Sequence, residues 1–252
     1  MLTKAPLRQA SPDGLTKTKI IDSALTLYAA HGIDGVPVRT LTQHAGVNVA
    51  AIHYHFGGAE ALAEAVFSEL SARINKRRSD ALEALMGAAK AGGGAADLRD
   101  IVTVFVAPYF DTTSSTEGQL LAQLILKHRL SPSPMTERVI KEHFDPMARS
   151  FVAALHKAAP GVPKSLMYWR YMFMVSTVVL STSDRGRTAR LQALSGEAGA
   201  RHSADDARRA LIDFVVGGLQ ATVSWAGHGQ RSKRTSARGQ RSSLRSLKEG
   251  DA

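Results

Sequence analysis

Val38-Arg39-Thr40-Leu41-Thr42-Gln43-His44-Ala45-Gly46-Val47-Asn48-Val49-Ala50-Ala51-Ile52-His53-Tyr54-His55-Phe56 is the stretch on which the fold turns. Pro37 suits the first turn of a short helix that runs to about His44, and Gly46 breaks it. Asn48 is a good N-cap for a second helix that reaches about His55. Two short helices can cross steeply only where they touch through a residue without bulk, and Thr42 sits there. The turn between them needs a left-handed backbone, which glycine adopts without a side-chain penalty, and Gly46 supplies it. Leu41, Val47 and Ile52 are the apolar clamp. All three requirements are met within 19 residues. The pattern is a helix-turn-helix, a unit that exposes the start of its second helix for insertion into a DNA major groove.

The flanks extend the same reading. Thr16 to His31 places Ile20, Ala24, Leu27, Tyr28 and His31 on one helical face, and Gly32 supplies a stop. After the motif, Leu62, Val66, Leu70 and Ile74 form the stripe of a helix that starts near Ala59 and continues to about Met86. Gly92-Gly93-Gly94 ends it. That glycine run lacks a preceding strand and a following Lys-Ser/Thr, so it reads as a linker and not a phosphate loop. Further helical faces follow at Leu98–Tyr109, Leu120–His128 and Ile140–Leu155. Ser131-Pro132-Ser133-Pro134 and Pro160-Gly161-Val162-Pro163 are the breakers. Ser165 to about Thr182 is apolar on most sides, as a buried or interface helix is. Asp184 to Ala200 reads as loop. Leu211, Phe214, Val215, Gly218, Leu219 and Thr222 give the last stripe. Strand periodicity does not recur anywhere. The expected architecture is all-α, with about nine helices: a three-helix DNA-binding domain over 16–62 and a helical domain over 63–225. A disordered arm (1–15) precedes them and a basic disordered tail (226–252) follows.

Composition bounds the function. Of the 252 residues, 32 are Lys or Arg and 22 are Asp or Glu, a net charge of +10. Such an excess favours a polyanionic partner, either nucleic acid or an anionic membrane surface. The tail from Ala226 carries seven Lys/Arg against two acids and has Leu244 and Leu247 as its large apolar residues. It cannot bury enough surface to order itself. It reads equally as a solubilising extension or as a non-specific DNA arm. There is no cysteine, which excludes disulfides and thiolate metal sites. The first fifteen residues lack the apolar run of a signal peptide. The longest uncharged, apolar-leaning stretch, Tyr171–Ser183, is too short to span a bilayer.

Residues 17–67 resemble the DNA-binding domain of TetR-type transcriptional regulators. The likeness is carried by the helix from Lys17 to Gly32, Val38-Arg39-Thr40-Leu41, Ala45-Gly46-Val47-Asn48, Ile52-His53-Tyr54-His55-Phe56-Gly57 and Glu60-Ala61-Leu62. It implies that Arg39 and Thr40 reach a phosphate or an outer base. It places Asn48, Val49, Ala50, Ala51 and His53 on or beside the recognition helix, and has Tyr54 and His55 touch the DNA backbone. Ala50 and Ala51 offer little hydrogen bonding, so thymine-methyl contacts and shape readout gain weight. Ala59 stands where most members carry a phosphate-holding Lys. The N–H groups of Gly58 and Ala59 could cap a phosphate instead. Pro160-Gly161-Val162-Pro163, Trp169-Arg170 and Phe173-Met174 resemble the fatty-acid-responsive subgroup.

What the family resemblance implies is a cytoplasmic homodimeric repressor on a palindromic operator, paired through its last two long helices. A small apolar effector, a fatty acid or acyl-CoA from the subgroup likeness, would release it. By the same analogy Phe105, Tyr109, Gln123, Phe144, Met147, Trp169, Met172 and Phe173 are the ligand-binding candidates; ordinary core or dimer interface is the competing reading of the 168–174 aromatic cluster. No metal or other cofactor is expected: His53 and His55 are two apart, so a helix puts them on different faces. No nucleophile elbow or Ser-x-x-Lys frame stands out, so enzyme activity is not expected. The rival reading is an architectural DNA-coating protein without a regulatory ligand. A membrane-surface protein would need a strongly basic amphipathic helix, and the sequence has none.

Overall fold

The computed structural model describes residues 12–110, 115–183, 193–194 and 203–222. Ten α-helices are named in it: α1 (Pro12–His31), α2 (Val38–Ala45), α3 (Val49–Phe56), α4 (Ala59–Ala91), α5 (Leu98–Phe110), α6 (Ser115–Leu130), α7 (Pro134–Val139), α8 (Asp145–Ala158), α9 (Lys164–Ser183) and α10 (Ala204–Gln220). A π-helical turn, Ile140–Phe144, joins α7 to α8 without a break, so those two form one rod. No strand occurs among the described residues. The all-α expectation holds. The arm up to residue 11, most of the loop over 184–200 and the tail from 226 lie outside the described residues.

Boundaries shifted where the local signal was weak. α1 begins at Pro12, four residues before Thr16, with proline in the first turn where its missing N–H costs nothing. α4 runs past Met86 to Ala91, because Ala88-Ala89-Lys90-Ala91 are all good helix formers. It ends at Gly92 and Gly93, the latter left-handed with φ 75°. The division expected after Leu62 falls inside α4, whose stripe continues unbroken from Leu62 to Leu82. The described residues from 12 to 219 form one compact unit.

The core is a single apolar cluster. It starts with Ile20, Ala24 and Tyr28 of α1 against Leu41 and Ile52. It then follows Leu62, Val66, Phe67, Leu70 and Ile74 along α4 into Ile101, Phe105, Leu121, Phe151 and Met174. α4 touches α1, α3, α5, α6, α7 and α8, and is the element that the others pack around. Gly118 permits a close crossing of α5 and α6. A Cβ there would lie 2.1 Å from the carbonyl oxygen of Pro108 on α5.

Polar groups enter this core at one level of α4. Arg78 is 2% exposed. Its Nε donates to the Phe105 carbonyl oxygen at 3.0 Å, and its Nη1 donates to Asn75 Oδ1 at 3.1 Å. The guanidinium lies over the rings of Phe105 (4.5 Å) and Tyr109 (4.9 Å). Its remaining Nη2 has no hydrogen-bond partner. Asn75 Nδ2 donates to the His143 carbonyl oxygen at 3.0 Å, inside the π turn, whose widened ladder frees that acceptor. Burial pushes the nearby Tyr171 hydroxyl far above the usual phenol range, against the opposing charge of Arg78.

Candidate nucleic-acid interface

The helix-turn-helix is assembled as its residues require. α2 ends at Gly46, left-handed at φ 64°, with the Gly46 and Val47 N–H groups donating to the carbonyls of Gln43 (3.2 Å) and Thr42 (3.0 Å). These bonds satisfy carbonyls that the helix end would leave unpaired. Thr42 is buried, and its hydroxyl donates to the Arg39 carbonyl oxygen at 3.0 Å, so the hydroxyl at the helix crossing is satisfied internally. Asn48 has an extended backbone and its Oδ1 accepts from the Ala50 N–H at 3.0 Å. That cap contributes about 1 kcal/mol to helix formation. Ile52 turns inward beneath Leu41, and α3 closes at Gly57, left-handed at φ 85°.

With Ile52 inward, Val49, Ala50, His53 and Tyr54 of α3 face out. Asn48, Val49, Ala50 and His53 are exposed, Ala51 is half-buried, and Tyr54 is 79% exposed. Arg39 and Thr40 are exposed at the start of α2. Seven of the expected contact residues are therefore exposed. His55 departs from expectation. Its side chain is only 8% exposed and its Nδ1 lies 3.7 Å from Asp13 Oδ1 on α1. It faces α1 and leaves little of its side chain open to a phosphate.

Gly58 N-caps α4 without any side-chain cap, leaving the first-turn N–H groups of α4 open to solvent or an anion. The first-turn side chain there is Glu60, an acid. A cation that the sequence reading passed over lies on α1: Lys17 is exposed and its Nζ stands 5.7 Å from the centre of the Phe56 ring. The contact joins residues 39 positions apart, so no local spacing could have signalled it. Exposed Gln43 and His44 on α2 were likewise passed over.

The eight ligand-binding candidates do not converge. Phe105, Tyr109 and Met147 are buried in the core, the first two against Arg78. Phe144 is half-buried beside Phe67, ring centres 6.1 Å apart. Gln123 lies along an open groove with His31 and Ser183. Trp169 (60% exposed), Met172 and Phe173 point outward from α9. The reason is periodic: Met167, Arg170, Met174 and Val178 fill the inward face of that helix, so the other large residues must stand outside. Trp169 and Phe173 stack at 6.0 Å, and Phe173 shares a shallow groove with Phe214 and Gly218 of α10.

Comparison with known proteins gives concordant likenesses. A family model described as "Bacterial regulatory proteins, tetR family" matches residues 20–66. A second, "Tetracyclin repressor-like, C-terminal domain", matches residues 103–218. The "Probable HTH-type transcriptional regulator YttP" of Bacillus subtilis (strain 168) is 46% identical over 54 residues. That match takes in 21% of this chain and 26% of the relative, so the chain aligns with about a quarter of the curated protein's length. A solved TetR-family transcriptional regulator from Mesorhizobium loti superposes with a TM-score of 0.56 at 17% identity, over 83% of this chain and 97% of that one. The fatty acid degradation regulator FadR from Bacillus halodurans gives 0.54 at 16%, over 85% and 100%. At such identities these two likenesses concern the fold alone. No described helix is long and apolar enough to cross a membrane.

Proposed function

Because this chain belongs to the tetR family of bacterial regulatory proteins, we propose that it is a cytoplasmic, sequence-specific DNA-binding repressor that acts as a homodimer and releases its operator on binding a small, largely apolar effector. The observation that carries the reading is α3: a capped helix, locked by the Gly46 turn, whose Val49, Ala50, His53 and Tyr54 stand clear of the fold.

The chemistry of that surface sets the mode of reading. Asn48 spends its carbonyl oxygen on the helix cap, leaving its amide N–H groups as donors for a base edge or phosphate. Ala50 and Ala51 offer methyls for thymine contacts, and His53 and Tyr54 supply polar tips. Arg39 and Lys17 add positive charge for the phosphates, which fix register and carry no sequence information.

The dimer contact is supported by the outward face of α9 and α10. Trp169, Phe173 and Phe214 are large, exposed and adjacent, and monomeric proteins rarely leave such groups uncovered together. Gly217 and Gly218 are exposed on α10 and have no Cβ to hold a second backbone away. A two-fold pairing there presents two α3 helices to successive major grooves of a palindrome, about 34–36 Å apart. Repression then follows from occupying a promoter. An effector weakens it by favouring a conformation with a different spacing, and only to the extent of its differential affinity. The fatty acid or acyl-CoA class rests on the sequence likeness of Pro160-Gly161-Val162-Pro163, Trp169-Arg170 and Phe173-Met174.

The test is a gel-shift on the DNA upstream of the chain's own gene with excess non-specific duplex present. A retained, footprinted palindrome is expected, and a long-chain fatty acid or its acyl-CoA is expected to release it. Binding that non-specific duplex competes away would point instead to an architectural DNA-coating protein.

A further inference from the structure

A cavity of about 380 Å³ lies where the DNA-reading helices meet the rest of the fold. Its walls come from three places. Tyr28, Asp34 and Leu41 belong to the α1–α2 segment; Glu60, Glu64 and Phe67 belong to the start of α4; Leu124, Lys127, His128 and Ser133 belong to α6 and the α6–α7 turn. The volume falls in the range of small-molecule sites, about 300–1,000 Å³, and apolar walls alternate there with polar and charged side chains.

Its charge is one-sided. Three carboxylates line it, Asp34, Glu60 and Glu64, against the single ammonium of Lys127. Lys127 is already committed: its Nζ donates to Asp34 Oδ1 at 2.6 Å across the rim. His128 is held by Thr136, Nδ1 to Oγ1 at 2.7 Å. Glu64 is the unfinished group. Its Oε1 accepts from the Ser133 hydroxyl at 3.4 Å, while its Oε2 is shielded from solvent and has no hydrogen-bond partner. A carboxylate oxygen in that position is costly unless something donates to it. Burial, with the Glu60 charge adding, raises the Glu64 pKa above the ordinary carboxylate range, against the Ser133 hydrogen bond and the Arg138 charge.

We propose that this junction cavity is a binding site for a protonated amine with an apolar body, its charge set against the Glu64 carboxylate and its body packing against Leu41, Leu62, Phe67 and Leu124. The site is separate from the central-helix candidates. Its position makes it regulatory: the ligand touches α1–α2, which carry the recognition unit, and α6, which packs on α9. That regulatory half rests on the DNA-binding reading above; the binding half does not.

Calorimetry on the full chain without DNA tests the binding half, with 2-phenylethylammonium, the matching alcohol 2-phenylethanol, and 3-phenylpropanoate. The ammonium is expected to bind with a Kd below about 1 mM, the alcohol at least tenfold more weakly, and the carboxylate not at all. Glu64→Gln keeps the shape and removes the charge, and is expected to bring the ammonium down to the level of the alcohol. No heat with the ammonium, equal affinity for the alcohol, or an unaltered Glu64→Gln variant would each overturn the proposal. Should the variant fail to fold, the three probes on the natural chain still decide. In gel-shifts, saturating ammonium is expected to change the operator Kd at least threefold, and to leave that of Glu64→Gln unchanged. Calorimetric binding with no change in operator Kd overturns the regulatory half. Failure to bind operator even without the probe would refute the DNA reading and leave the calorimetry standing.

Discussion

At the scale of single residues, caps and turns were readable because their geometry is local. Gly46 and Asn48 do what the sequence demands of them, since a left-handed turn and an N-cap involve only neighbours within five positions. Asn48→Ala should cost about 1 kcal/mol of stability and weaken operator binding by more than this destabilisation alone, since it also frays the first turn of α3; differential scanning calorimetry and a gel-shift would check the two effects. His55 was unreadable for the opposite reason: its partner Asp13 lies 42 positions earlier, and only the packing of α1 against α3 brings them to 3.7 Å. Glu64 yields a prediction with a definite sign. Its pKa is raised in the folded state, chiefly by burial. The folded protein therefore holds that proton more tightly than the unfolded chain does. The associated stability is fully present below the ordinary carboxylate range and is lost as pH rises through the raised value. Glu64→Gln should accordingly melt higher than the natural chain at pH 7, with the gain shrinking towards pH 4. An equal difference at both pH values would contradict the shift.

At the scale of elements, existence was clearer than face. Each long helix was visible through its stripe and its breakers, such as Ser131–Pro134 before α7. The π turn at Ile140–Phe144 was not, because an α-periodic stripe tolerates one inserted residue and the group bonded to its His143 carbonyl, Asn75, comes from α4. α9 was ambiguous in another way. With large residues on all sides, periodicity cannot say which face is inward, and the answer depends on Arg170, whose Nη1 donates to the Leu219 carbonyl oxygen of α10. The outward face is what Phe214→Glu probes. It should leave the helical circular dichroism intact and shift sedimentation from dimer to monomer, because a carboxylate buried against Trp169 and Phe173 of a second copy is costly. Gly118→Ala tests the α5–α6 crossing. A methyl group 2.1 Å from the Pro108 carbonyl oxygen must push the helices apart, at about 1–3 kcal/mol, seen as a lowered urea midpoint.

At the scale of the whole molecule, the net charge of +10 favours a polyanionic partner, yet the described residues of the candidate interface contribute few cations, Arg39 and Lys17 among them. Half of the excess belongs to the segment from Ala226 onward. Deleting residues from Gly227 should lower the slope of log affinity against log salt by about 0.9 for each phosphate the segment neutralises. A slope that does not move would assign it none. The arrangement of α4 has a mechanical corollary. Its 33 residues at about 1.5 Å rise make a rod of about 50 Å, and the Ala59 end follows the last residue of α3 by only two glycines. Pivoted at the Gly92 end, such a lever arm swings its tip by about 4 Å for every 5° or so, slightly more than the axial step of one base pair, about 3.4 Å. Small angular changes of α4, carried together with the helices packed on it, would therefore be enough to throw two paired reading heads out of phase with the double helix.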